Sequence, residues 1–176
     1  MNGLDNDAFN VVMLLFRVGM GLTFAFHGYA KMFRGGRIAG TGAWFDSIGM
    51  KPGRMHAMMA SVTEQASGVL LVLGLFTPFA AAAVVGVMVV AAWVVHRSSG
   101  FLITGNGWEY TFVTAMMAVV IGALGAGEIS LDNALGIADD LNGWVGLGIA
   151  LILGLAGGVA QLALFYRPAP ATAATA

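Results

Sequence analysis

Long apolar runs alternate with short polar stretches along this chain. Five runs of about 20 residues consist mostly of Ala, Val, Leu, Ile, Met, Phe and Gly, and they lie at 10–31, 57–77, 79–96, 108–125 and 144–165. An α-helix of about 20 apolar residues is long enough to cross the hydrocarbon core of a bilayer. The pattern therefore predicts an all-α integral membrane protein with five membrane-spanning helices.

Turn-forming residues separate these runs. Pro78 interrupts the apolar sequence between the second and third runs, because proline lacks a backbone N–H and restricts the residue before it. Between the first two runs, Trp44, Phe45 and Ile48 fall on one face of a helix. This segment predicts a short interfacial helix near residues 41–49, lying in the plane of the membrane.

The composition excludes a water-soluble domain. Hydrophobic residues make up 59% of the 176 residues and charged residues 10%, whereas about 25% are charged in a typical soluble domain. The net charge of −1, without a block of like charges, gives no electrostatic basis for binding nucleic acid. Cysteine is absent, which excludes disulfides and thiolate metal sites, and we expect no bound metal.

The basic residues predict the orientation. Seven of the eight Lys and Arg residues fall on one side of the five-helix arrangement, at Lys31, Arg34, Arg37, Lys51, Arg54, Arg97 and Arg167. The opposite side carries Asp5, Asp7, Glu128, Asp132, Asp139 and Asp140. Because Lys and Arg are retained on the cytoplasmic side, we predict a multi-pass protein of the plasma membrane with its N-terminus outside and its C-terminus in the cytoplasm.

Four ionisable residues within or beside the predicted spans need an explanation: Arg17, His27, Glu64 and Glu109. Each costs about 2.5–3.5 kcal/mol at the centre of a membrane helix, so it requires a partner or a function. Arg17 and Glu64 could form a buried ion pair that fixes how the first two spans pack. The other interpretation is a polar pocket on the cytoplasmic side, shared by several helices.

The candidate pocket residues are those that fall at the same depth. They are His27, Glu64, Glu109, Tyr110 and Trp93. The sequence identifies no catalytic residue among them.

The fifth run contains no ionisable residue. Gly154 and Gly158 are spaced as in small-xxx-small motifs, which let two helices approach closely. We predict a four-span bundle over 1–141, a fifth membrane helix over 142–166 and a disordered tail over 167–176.

Several of these motifs resemble the DoxX family of membrane proteins. The similarity includes Arg17, His27-Gly28 and Lys31 in the first span, then Glu64 and Gly74-Leu-Phe-Thr-Pro78, then Gly105-Asn-Gly-Trp-Glu109-Tyr110 and Ser130-Leu-Asp132. The resemblance implies a four-helix membrane bundle that works beside oxidoreductases, among them a thiosulfate:quinone oxidoreductase. This chain differs from that bundle by its fifth apolar run.

Three functions remain open at this point. The first is a membrane subunit of an oxidoreductase or respiratory-type assembly, not catalytic alone, that anchors protein partners and binds quinone in the polar pocket, with no tightly bound cofactor. The second is a purely structural subunit without a ligand. The third is a small transporter or proton pathway, for which ionisable residues inside a membrane are typical. Contact with membrane lipid follows from all three, and association with a second copy of the chain stays open.

Overall fold

The computed structural model describes residues 5–168, which fold into a helical bundle. In chain order the helices are α1 (Asn6–Phe33), α2 (Arg37–Ser47), α3 (Gly53–Leu73), α4 (Thr77–Ser99), α5 (Glu109–Leu124), α6 (Leu131–Ala134), α7 (Ala138–Leu141) and α8 (Gly143–Phe165). A π-helical turn widens α4 at Ala92–His96, and another widens α8 at Ile149–Leu153. Of the predicted tail, 167–176, residues 169–176 lie outside the described residues.

Three of the helices, α1, α4 and α8, are long and apolar enough to cross a membrane, while α5 is apolar but shorter. The second predicted span corresponds to α3, whose polar residues lower its hydropathy. Four of those polar side chains are buried inside the bundle, at His56, Ser61, Glu64 and Ser67. Its exposed side chains include Met58, Val62 and Val69. A helix whose polar side chains face the bundle and whose apolar side chains face outwards is suited to a bundle surrounded by lipid rather than water.

The turn between α3 and α4 differs from the sequence prediction. Helix α3 ends at Leu73, because Gly74 adopts a left-handed conformation with φ +63° and caps it. Pro78 lies in the first turn of α4, where its missing N–H leaves no helical hydrogen bond unmade. The second predicted span therefore ends before residue 77.

The five long helices alternate in direction, so the bundle has two chemically different ends. At one end the chain after α2 meets the end of α8, where the Arg167 N–H donates to the Gly49 carbonyl at 2.6 Å. At the other end the Glu128 N–H donates to Oδ1 of Asn10, near the start of α1, at 2.9 Å. The connections at the first end carry the basic residues, and those at the second end carry the acidic ones.

Glycines of α8 set its distance from α4 and α5. A β-carbon at Gly146 would overlap the carbonyl oxygen of Gly122 in α5. One at Gly154 would lie 2.6 Å from Cβ of Val85, and one at Gly158 would lie 3.0 Å from the carbonyl oxygen of Gly86. Close approach of this kind is what small residues permit in membrane helices. The small-xxx-small pattern thus packs α8 against helices of its own chain.

The residues near 41–49 form part of α2, which spans Arg37–Ser47. Phe45 of α2 is buried in a small core with Met50, Ala57 and Val90. Leu162, Phe165 and Tyr166 from the end of α8 pack against the same core. The end of α8 is therefore held by α2 and by the start of α3, although the domain boundary near residue 142 stays a prediction.

Candidate functional site

A cavity of about 410 Å³ opens at the basic end of the bundle. Residues from α1, α2, α3, α4, α5 and α8 line it. Its polar side chains are His27, Lys31, Thr63, Glu64, His96, Tyr110, Thr111 and Gln161. The rest of its wall is mainly apolar and includes Trp44, Phe45, Met59, Val87 and Val94. An apolar cavity with a few convergent polar groups is the usual form of a small-molecule site.

A salt bridge lies in the wall of this cavity. The Nζ atom of Lys31 donates to both carboxylate oxygens of Glu64, at 2.8 Å to Oε1 and 2.6 Å to Oε2. The Glu64 side chain is 5% exposed and that of Lys31 is 25% exposed. Because the two charges cancel, the pair places hydrogen-bonding atoms beside the cavity without a net charge.

The predicted ion pair between Arg17 and Glu64 is therefore not formed. Arg17 and Lys31 are 14 residues apart on α1, about 21 Å along its axis at 1.5 Å per residue. Glu64 lies at the level of Lys31, near the basic end of the bundle. Arg17 instead extends towards the other end, which sequence spacing alone did not show.

Arg17 is fully buried and bonds to backbone carbonyls. Its Nη1 donates to the Leu71 carbonyl at 2.9 Å, and its Nη2 donates to the Ile129 carbonyl at 2.6 Å. The Leu71 carbonyl belongs to the last turn of α3, where it also accepts a hydrogen bond from the N–H of the capping Gly74. A β-carbon on Gly74 would lie 2.8 Å from Cζ of Arg17, so glycine also leaves room for the guanidinium. Arg17 thus joins α1, α3 and the segment before α6, and its role here is structural.

Asp132 completes this cluster at the acidic end of the bundle. It is 1% exposed, and its carboxylate accepts hydrogen bonds from the N–H groups of Phe76 at 2.7 Å and Thr77 at 3.0 Å. These bonds satisfy donors at the start of α4 that have no partner within the helix. Asp132 is thus a helix-capping residue, a role that the sequence did not indicate.

Three of the five predicted pocket residues line the cavity, namely His27, Glu64 and Tyr110. Glu109 does not line it. Its Oε2 accepts a hydrogen bond from the Ile103 N–H at 2.8 Å, which closes the loop between α4 and α5. Trp93 does not line it either. The residue is 47% exposed, and the guanidinium of Arg97 lies 4.2 Å from the centroid of its ring. Glu109 and Trp93 therefore stabilise the basic end beside the cavity.

The π-helical turn of α4 lies at the cavity wall. The Arg97 N–H bonds to the Ala92 carbonyl, five residues earlier, and Val94, Val95 and His96 all line the cavity. Turns of this type occur often at functional sites. The Nδ1 atom of His96 lies 2.9 Å from the Asn106 carbonyl, which can only accept, so this nitrogen is a donor. In the neutral ring the Nε2 atom is then a hydrogen-bond acceptor.

Sequence reasoning did not select several polar residues of the cavity, among them Lys31 and Gln161. Lys31 counts among the basic residues predicted for the cytoplasmic side, but its spacing of four residues from His27 is the signal that places both on one face of α1. Gln161 lies in α8, the helix that carries no ionisable residue. A single amide in an apolar span is a weak signal, and only the packing of α8 against α4 brings Gln161 to the cavity.

A comparison with known proteins identifies the family of this chain. Residues 12–97, from α1 to α4, match the family model described as DoxX. No curated protein and no solved structure matches the chain. The matched part supplies His27, Lys31, Glu64 and His96 to the cavity, while α5 and α8 supply the remaining wall. This helical membrane protein is a member of the DoxX family.

Proposed function

We propose that this protein is a small subunit of a redox assembly in the plasma membrane, where it anchors protein partners and binds quinone in the cavity. One observation carries the proposal. The cavity of about 410 Å³ combines an apolar wall with His27, Glu64 and Tyr110, three residues selected from the sequence as a pocket. Quinones combine an apolar ring and tail with oxygens that form hydrogen bonds, and such a cavity can satisfy both parts.

The charge of the cavity favours a neutral head group. Lys31 and Glu64 neutralise each other at 2.6 Å, so an anionic or cationic ligand would meet no uncompensated charge from this pair. Histidine, tyrosine, threonine and amide groups supply the remaining hydrogen-bonding atoms. Burying a charged ligand without a counter-ion is costly, whereas a neutral carbonyl needs only one donor.

Five membrane spans in alternating directions are part of the proposal. The alternation of α1, α3, α4, α5 and α8 supports it, as does the inward orientation of the polar residues of α3. The segregation of Lys and Arg to one end supports the orientation with that end in the cytoplasm. In this orientation the cavity lies in the cytoplasmic half of the bilayer, within reach of a quinone that diffuses along the membrane.

A purely structural subunit is the main competing function. It would use polar residues only for packing, and side chains would then fill the space between the helices. The open cavity favours a ligand. The salt bridge between Lys31 and Glu64 and the buried hydrogen bonds of Arg17 and Asp132, by contrast, are compatible with either function.

Quinone binding can be tested with decylubiquinone and the purified protein in lipid nanodiscs. Trp44 lines the cavity, so a bound quinone ring should quench its fluorescence in a saturable manner, and Trp44→Phe should remove that component. Gly157 also lines the cavity, and a β-carbon there meets no atom within 4 Å. We expect Gly157→Phe to place its ring in the cavity and to abolish binding without a loss of protein.

Gly148→Phe is the matched control. It makes the same change in the same helix, where a β-carbon also meets no atom within 4 Å, but Gly148 does not line the cavity. Equal, non-saturable quenching in the wild type and both variants would refute quinone binding. Purification in mild detergent with mass spectrometry tests the partners, and recovery of the chain without any redox protein would argue against the anchoring role.

A further inference from the structure

A buried histidine stands directly behind the cavity wall. His56 is fully buried, and its Nδ1 lies 3.1 Å from Nε2 of Gln161. Its ring packs edge-on against Phe165, with the centroids 4.9 Å apart, and at an angle to Phe45. Gln161 lines the cavity, whereas His56 does not touch it. The pair therefore connects a closed apolar site to the ligand cavity through one amide group.

Because His56 is buried, its ring nitrogens have few hydrogen-bond partners besides Gln161. Its other ring nitrogen, Nε2, is buried without a hydrogen-bond partner in the described part of the chain. A charged imidazolium would need acceptors for two N–H groups, so the neutral ring fits this site. A neutral imidazole has two tautomers, and its Nδ1 either accepts or donates a hydrogen bond.

The amide of Gln161 can follow either tautomer by rotating half a turn. When Nδ1 accepts, the amide NH₂ group donates to His56 and the amide oxygen remains to accept from a ligand. When Nδ1 donates, the amide oxygen accepts from His56 and the NH₂ group remains to donate to a ligand. Neither the change of tautomer nor the rotation of the amide creates a charge. The hydrogen bond between His56 and Gln161 can therefore reverse its direction inside the membrane at small electrostatic cost.

We propose that Gln161 is a ligand-contacting residue of the cavity and that His56 is a positioning residue that lets Gln161 bind both redox states of a quinone. The oxidised ring presents carbonyl oxygens, which need a donor. The reduced ring presents hydroxyl groups, which need an acceptor. This inference rests on the proposed quinone function. It adds a specificity-determining group from α8, outside residues 12–97 that match the DoxX family.

The test measures binding of decylubiquinone and of decylubiquinol by Trp44 quenching in nanodiscs. The quinol is kept reduced with dithionite, which the chain tolerates because it has no cysteine. Loss of one hydrogen bond corresponds to about a tenfold change in affinity. We expect Gln161→Leu to weaken both forms about tenfold, and Gln161→Glu, which cannot donate when ionised, to weaken the quinone more than the quinol.

Two variants of His56 separate positioning from packing. His56→Phe keeps an aromatic ring between Phe45 and Phe165 but cannot bond to Gln161, and it should weaken both forms about tenfold. His56→Asn keeps an amide that can donate or accept, and it should restore binding of both forms to within about threefold of the wild type. A merely structural histidine would give the opposite order, because Asn leaves more empty space than Phe.

The outcomes distinguish this inference from the function on which it rests. If the wild type binds neither form, the proposed quinone function fails and this inference fails with it. If the wild type binds both forms and Gln161→Leu binds them equally well, only this inference is overturned. Should His56→Phe fail to fold, the affinities of Gln161→Leu and His56→Asn still decide between support and refutation.

Discussion

The salt bridge between Lys31 and Glu64 gives the sharpest test of the structure. Glu64→Gln removes one charge and leaves the Lys31 ammonium unpaired. Breaking a fully buried pair costs about 3–5 kcal/mol. Lys31 is 25% exposed and near the end of α1, so its flexible stem can carry the ammonium towards the lipid head groups. We therefore expect a smaller loss of unfolding free energy, about 1–2 kcal/mol.

Lys31→Met should cost more, because the carboxylate that it leaves behind is only 5% exposed and on a short side chain. An unpaired buried carboxylate binds a proton to become neutral, which limits the cost to about 2–4 kcal/mol. The double variant Lys31→Met with Glu64→Gln removes both charges. We expect it to be more stable than the sum of the single losses by about 1–3 kcal/mol.

Reversible unfolding in mixed detergent micelles measures these free energies, and thermal scans give a parallel estimate at about 2–4 °C per kcal/mol. The control pairs Arg17→Met with Glu64→Gln, which should be additive within about 0.5 kcal/mol because the two residues do not contact each other. Strong coupling of Arg17 with Glu64, and none of Lys31 with Glu64, would refute the reasoning.

Three further predictions test the rest of the structure. Single cysteines at Ser47 and Asn133 should react with an impermeant maleimide from opposite sides of the membrane, and labelling of both in intact cells would contradict the five-span arrangement. Gly158→Ala should lower the unfolding free energy by about 1–3 kcal/mol, because its β-carbon would lie 2.9 Å from Cβ of Val89. Gly157→Ala meets open space and should leave the unfolding free energy unchanged. Equal stability of the two variants would show that α8 does not pack closely. Arg17→Met should reduce the abundance of folded protein in the membrane, with a loss of about 3–5 kcal/mol, because the buried Leu71 carbonyl and the partly buried Ile129 carbonyl lose a charged donor. Normal abundance would contradict the structural role.

The family and the helical class were both predictable from the sequence. Apolar runs of about 20 residues have one stable solution in lipid, because a helix satisfies its own backbone hydrogen bonds. The DoxX resemblance also followed from local motifs, such as the His27-Gly28 and Lys31 string of α1, and the family match over residues 12–97 confirms it. Three of the candidate pocket residues, His27, Glu64 and Tyr110, line the cavity, because spacing along a helix gives depth directly.

The partner of each charged residue was decided only by the tertiary structure. Depth along a helix does not tell which way a long side chain extends, and Arg17 extends away from Glu64 to reach carbonyls at the end of α3. Lys31 pairs with Glu64 because α1 and α3 pack side by side at that level.

Gln161 shows the same limit of sequence reasoning. Its amide reaches the cavity because glycines let α8 approach α4, and a close approach between distant segments leaves no periodic signal in either one. Sequence periodicity reports the environment of a helix face, polar or apolar. Which residues meet across two faces depends on how the helices pack, and in this protein that packing brings Gln161 of α8 to the cavity and to His56.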